Sequence, residues 1–115
     1  MALPKKVILG TQTWEIVERT RNKDGMLSED SYGYTLHKEN LIVIDSMIAE
    51  SRKKQTLFHE IMHALRHTYG NPTTPKKTDS EDLWEHYYIG IYEEGIILMF
   101  RDNPIVKEYL LGKIS

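Results

Sequence analysis

The segment Gln55-Thr56-Leu57-Phe58-His59-Glu60-Ile61-Met62-His63-Ala64-Leu65 carries two signals at once. Leu57/Phe58, Ile61/Met62, Leu65 and Tyr69 recur at amphipathic spacing, which predicts a helix over 53–69 with one face in a core. Gly70 stops that helix and Pro72 follows. On the same helix His59 and His63 stand at i and i+4, so both imidazoles share one face. Two imidazoles so placed reach a single zinc at ~2.0–2.1 Å. Glu60 points beside the metal, where a carboxylate takes a proton from metal-bound water. From this chain's own composition, the pattern is expected ~0.02 times by chance.

Upstream the sequence reads as β. Residues 7–9 and 12–20 are rich in apolar and β-branched side chains, with Gly10 between them. Residues 22–30 are polar and contain Asp24-Gly25, a loop signal. Residues 32–37 and 41–45 are two further strands, joined by Lys38-Glu39-Asn40 as a hairpin connection. Leu41-Ile42-Val43-Ile44 is apolar at every position and so is expected to be buried on both faces.

Downstream, the Pro/Thr/Lys-rich residues 71–78 read as a surface loop. Asp79 and Ser80 are N-cap candidates for a second helix to about Arg101, with Glu81 and Asp82 in its first turn. Asn103 is placed to cap a short third helix with Pro104 at its first position. The expected architecture is therefore α+β. A small antiparallel or mixed N-terminal sheet packs on the motif helix and a second helix, and a short C-terminal helix follows.

A catalytic zinc needs a third protein ligand beside the two histidines, with one position left open. An extended motif with Gly at 66 and His at 69 is absent, since Arg66 and Tyr69 stand there. The second helix offers Glu85, His86, Glu93 and Glu94, and periodicity alone does not choose among them. His67, one turn beyond His63, is rotated ~80° from His59, because each four-residue step adds ~40°. It is expected to favour the helix C-terminus by its charge, not to bind metal. His37 is expected to be exposed on a hairpin strand. Trp14, Trp84 and the tyrosines 69, 87, 88 and 92 read as core, although a tyrosine hydroxyl near the metal would stabilise an oxyanion.

Composition bounds the alternatives. The chain has 115 residues, 40% hydrophobic and 28% charged, enough for one small core in a single domain spanning 1–115. It has no cysteine, which excludes disulfides, thiol catalysis and cysteine-ligated zinc. A net charge of −2 does not indicate nucleic acid. No apolar run approaches the ~20 residues that cross a bilayer, and residues 1–6 carry no apolar leader.

The motif segment 55–65, the second helix ending in Phe100-Arg101-Asp102-Asn103-Pro104, Gly33 and Ile42-Val43-Ile44-Asp45 together resemble small phage- and prophage-encoded zinc metallopeptidase-like proteins of the ImmA/IrrE type. The resemblance spans most of the chain. It implies a minimal zincin domain with Zn2+ as cofactor, His59 and His63 as ligands and Glu60 as general base. It implies a protein or peptide substrate and action in the bacterial host cytoplasm. The family's third ligand is usually a glutamate early in the second helix. Counted back from Gly95 and Arg101-Asp102-Asn103-Pro104, that position falls on His86, so histidine replaces glutamate; a one-residue shift selects Glu85. Exchanging a carboxylate for an imidazole makes the site more positive by one unit.

Overall fold

The computed structural model describes residues 2–28, 30–70 and 74–113. The elements in chain order are β1 (Lys6–Leu9), β2 (Gln12–Arg19), a 3-10 turn (Arg21–Lys23), β3 (Gly33–Leu36), β4 (Leu41–Asp45), α1 (Glu50–Tyr69), α2 (Glu81–Asp102) and α3 (Pro104–Leu111). The four strands form one sheet in the order β1-β2-β4-β3. β1 and β2 pair antiparallel, β2 and β4 parallel, and β3 and β4 antiparallel, so the sheet is mixed. The α+β architecture anticipated from the sequence is the one observed.

Burial explains the strand order. All five residues of β4 are buried, as the uninterrupted apolar run requires, and β4 lies inside the sheet. β3 pairs on one side only and forms an edge. On one face of the sheet, Val7, Leu9, Trp14, Ile16, Ile42 and Ile44 pack with Leu57, Ile61, Ala64 and Leu65 of α1. Leu27, Leu41 and Val43 form a smaller cluster.

α1 begins at Glu50, three residues before the expected start at 53. Its first turn is polar, so periodicity could not mark it; Glu50 there accepts a hydrogen bond at 3.0 Å from Tyr109 of α3. α2 closes on α1 at Gly95, where an added Cβ would stand 3.1 Å from Tyr69 and 3.2 Å from Leu65. Asn103 occupies the α3 cap position, but its side chain does not cap. Its amide instead clasps β1: Oδ1 accepts from Ile8 N–H at 2.7 Å, and Nδ2 donates to Ile8 O at 2.7 Å and Met99 O at 2.8 Å.

Trp14 is buried as expected. Trp84 corrects the expectation: it is only half-buried, on α2 with Tyr87 and Tyr88. Its indole N–H donates to Lys76 O at 3.1 Å. The residues that α2 offers there meet the loop and the end of α1, not the sheet. No helix among the described residues is long and apolar enough to cross a membrane.

Candidate metal centre

α1 buries Leu57, Ile61, Ala64 and Leu65 against the sheet, and this orientation turns His59 and His63 outward. Their Nε2 atoms stand 3.2 Å apart, with ring centroids at 4.9 Å and planes at 73°. Two nitrogens on one tetrahedral zinc, each at ~2.0–2.1 Å, lie ~3.3 Å apart. The pair therefore already has the separation of one edge of a zinc coordination shell, and the donor chemistry suits zinc.

Glu60 sits differently. The side chain is 7% exposed, lodged between α1 and the edge strand β3. Thr35 Oγ1 donates to Glu60 Oε1 at 2.8 Å and lies 3.2 Å from the Glu60 carbonyl oxygen. The other carboxylate oxygen, Oε2, is 3.9 Å from His59 Nε2. One oxygen is thus held by the strand while the other faces the histidine pair. Burial without a donor would be costly for a carboxylate, and Thr35 supplies that donor.

β3 comes this close because of Gly33. A Cβ there would meet Val43 O at 2.7 Å and Thr56 Cγ2 at 2.9 Å. From Gly33 the strand alternates, so Thr35 reaches Glu60 and His37, just past its end, reaches His67. The His37 and His67 rings stack at 4.4 Å between centroids, tilted by 31°, and Trp14 meets His67 edge-on at 6.4 Å. A cleft of about 380 Å³ is lined by Thr35, His37, His59, Glu60, His63 and His67. His37 is exposed, as expected. His67 also lines this cleft, because its wall is formed jointly by α1 and the β3–β4 connection.

Tyr34 and Asp24 brace the strand from outside. The Tyr34 hydroxyl donates to Asp24 Oδ2, and Arg19 donates to the Tyr34 oxygen at 3.1 Å. The hydrogen bond from Tyr34 holds the Asp24 carboxyl below its usual range, helped by the Met26 amide and Arg19. Burial, then the adjacent carboxylate, pushes the Tyr34 phenol up.

The second helix contributes less than the sequence suggested. His86 projects from α2 with a side chain 69% exposed, and its Nδ1 lies 3.5 Å from Asp82 Oδ2. His86 lines neither cleft that includes His59. Glu85, Glu93 and Glu94 are likewise exposed. Among the described residues, no three His, Cys, Asp or Glu side chains converge as a metal site. The tyrosines 69, 87, 88 and 92 line neither cleft; Arg66 lies 5.3 Å over the Tyr88 ring, and burial pushes the Tyr92 phenol up. Thr35 was not singled out in the sequence. The only signal for it was strand alternation from Gly33, which requires knowing that β3 abuts α1.

Residues 18–92 match the family model described as the IrrE N-terminal-like domain, a peptidase family that is generally zinc-dependent. The chain belongs to that family. The match runs from the end of β2 through β3, β4 and α1 into α2, and so contains Thr35, the histidine pair, Glu60 and His86. No curated protein and no solved structure matches the sequence. Membership gives a peptidase-type domain and, at that coarse level, a protein substrate.

Proposed function

We propose that this chain is a zinc-dependent metallopeptidase in which His59 and His63 hold the metal, His86 is the third protein ligand and Glu60 is the general base. The observation that carries the reading is the 3.2 Å approach of the two Nε2 atoms beside a buried carboxylate held at 2.8 Å by Thr35. A zinc ion held there supplies Lewis acidity, polarising a carbonyl oxygen and lowering the pKa of water towards ~7. Glu60 accepts the proton of the attacking water as the new C–O bond forms. It then gives that proton to the amine nitrogen as the C–N bond breaks. Thr35 keeps the carboxylate aimed throughout.

β3 gives the substrate a track. Asp45 N–H donates to Tyr32 O at 2.8 Å, so antiparallel alternation turns the amides of Gly33 and Thr35 towards the free edge. A peptide added there as a strand passes the carboxylate. The reading includes a phage or prophage origin and action in the bacterial cytoplasm, on the sequence resemblance. The test is Glu60→Gln: zinc retention at the wild-type level with cleavage lost by at least ~100-fold, the scale of general-base catalysis. Cleavage at the wild-type rate would overturn the mechanism.

A second reading is a non-catalytic zinc-stabilised protein-interaction module: a catalytic zinc needs a third protein donor, and none converges with the histidine pair among the described residues. It predicts that Glu60→Gln leaves function intact while His59→Ala lowers the melting temperature.

A further inference from the structure

Glu60 and His59 also border a second cleft, of about 360 Å³, towards the start of α1. Its α1 wall carries Arg52 and Gln55. Positions 52, 55, 59 and 63 follow i, i+3, i+7 and i+11, so these side chains share one stripe with the histidine pair. The opposite wall is Asp30, Ser31 and Tyr32, the segment leading into β3. No aliphatic side chain lines this cleft, and apart from the Tyr32 ring its lining is largely polar. It offers a guanidinium and a carboxamide, both N–H donors. Arg52 stands in the first turn of α1, where the helix dipole also favours negative charge. The Glu50 carboxylate of that turn is engaged elsewhere, with Tyr109 at 3.0 Å and Lys53 at 3.8 Å. Among the described residues no carboxylate lies within ion-pair distance of Arg52; Asp30, across the cleft, and Glu60, at its metal end, are the acids that line it.

We infer that this cleft is a carboxylate-binding subsite, in which Arg52 and Gln55 grip a carboxylate of the peptide beside the bond that Glu60 attacks. The inference rests on the peptidase reading for its orientation, but the binding event does not need turnover. The carboxylate comes either from an Asp or Glu side chain or from the end of the substrate chain, and the two sources are separable. Guanidinium and carboxylate meet in a forked, charge-assisted pair that an amide cannot replace.

The experiment uses zinc-loaded Glu60→Gln protein and 1H–15N NMR of the Arg52 Nε–H and Gln55 side-chain amide. The probes are three acetylated alanine-based hexapeptides: a Glu-containing amide, its Gln counterpart, and the Gln peptide with a free C-terminal carboxylate. At least one carboxylate peptide is expected to shift both signals and to bind at least ~5-fold tighter than the Gln amide, a preference lost in Arg52→Ala. Which of the two does so identifies the source. Equal binding of all three peptides, binding of none, or a preference that survives Arg52→Ala overturns the subsite. If the wild type cleaves peptides without carboxylate preference, the subsite fails and the peptidase stands. If the Arg52-dependent preference holds and the wild type cleaves nothing, the peptidase fails and the subsite stands.

Discussion

Thr35 donates to Glu60 across the gap between an edge strand and the motif helix, at 2.8 Å, and this bond joins the sheet to the chemistry. Thr35→Val keeps the shape and removes the donor, leaving Oε1 of a nearly buried carboxylate without it. The expected cost is about 1–3 kcal/mol of stability, read from the urea midpoint at unchanged slope. Thr35→Ser should recover most of it. Neither substitution should alter zinc retention, since Thr35 bonds neither histidine.

Gly33 sets the width of the same gap. Its missing Cβ would stand 2.7 Å from a backbone oxygen, which cannot swing aside as a side-chain end can. Gly33→Ala is therefore expected to cost about 1–3 kcal/mol, as overpacking does, and to move β3 away from α1. Hydrogen exchange should show it: the amides of β4 that pair with β3 lose protection, while those pairing with β2 keep it. Unchanged protection would mean that β3 is not held by this contact.

The brace outside β3 makes acid lability local. Asp24 is held below the ordinary carboxylate range first by the Tyr34 hydroxyl, so its contribution to stability is present above ~3.9 and is lost as pH falls through its lowered value. Tyr34→Phe removes the main cause. The Asp24 carboxyl signal in a 13C NMR titration should then move up towards the ordinary range. A titration unmoved by Tyr34→Phe would show that Arg19 and the Met26 amide hold the carboxylate without the phenol.

The uninterrupted apolar run of β4 and the 3.6-residue period of α1 were the parts of the fold most legible from the residues. Leu41 to Ile44 read as a strand buried on both faces, and the motif helix announced both its core face and its histidines. Asn103 was less legible. Its sequence context says helix cap, yet its amide reaches Ile8, 95 positions away, a pairing that only the packed sheet creates. The same holds at the site. His59, Glu60 and His63 are written in one local pattern, whereas Thr35 and His37 join them through the docking of β3 on α1. His86 shows the converse: the resemblance, counted back from Gly95, selects it, but no local rule fixes where the exposed half of α2 points.

Metal loading tests the centre as a whole. The approach of His59 and His63 leaves little rearrangement within that pair for zinc to pay, and the purified wild type should retain one zinc per chain after loading and desalting. Binding to the folded state alone stabilises it by ~2.7 kcal/mol at a free-metal concentration one hundred times the Kd, and chelation should reverse the rise in melting temperature. His59→Ala and His63→Ala should each abolish retention and that rise, since either leaves one donor of the pair. His86→Ala should weaken retention by at least ~10–100-fold, the loss known for supporting groups around a metal, because a ligand contributes no less. His86 must leave Asp82 to do so, and Asp82→Asn should then strengthen binding slightly by releasing it. A His86→Ala chain that holds zinc as tightly as the wild type removes that residue from the centre. A wild type that retains no zinc sinks the metal reading itself, and with it the catalytic role of Glu60.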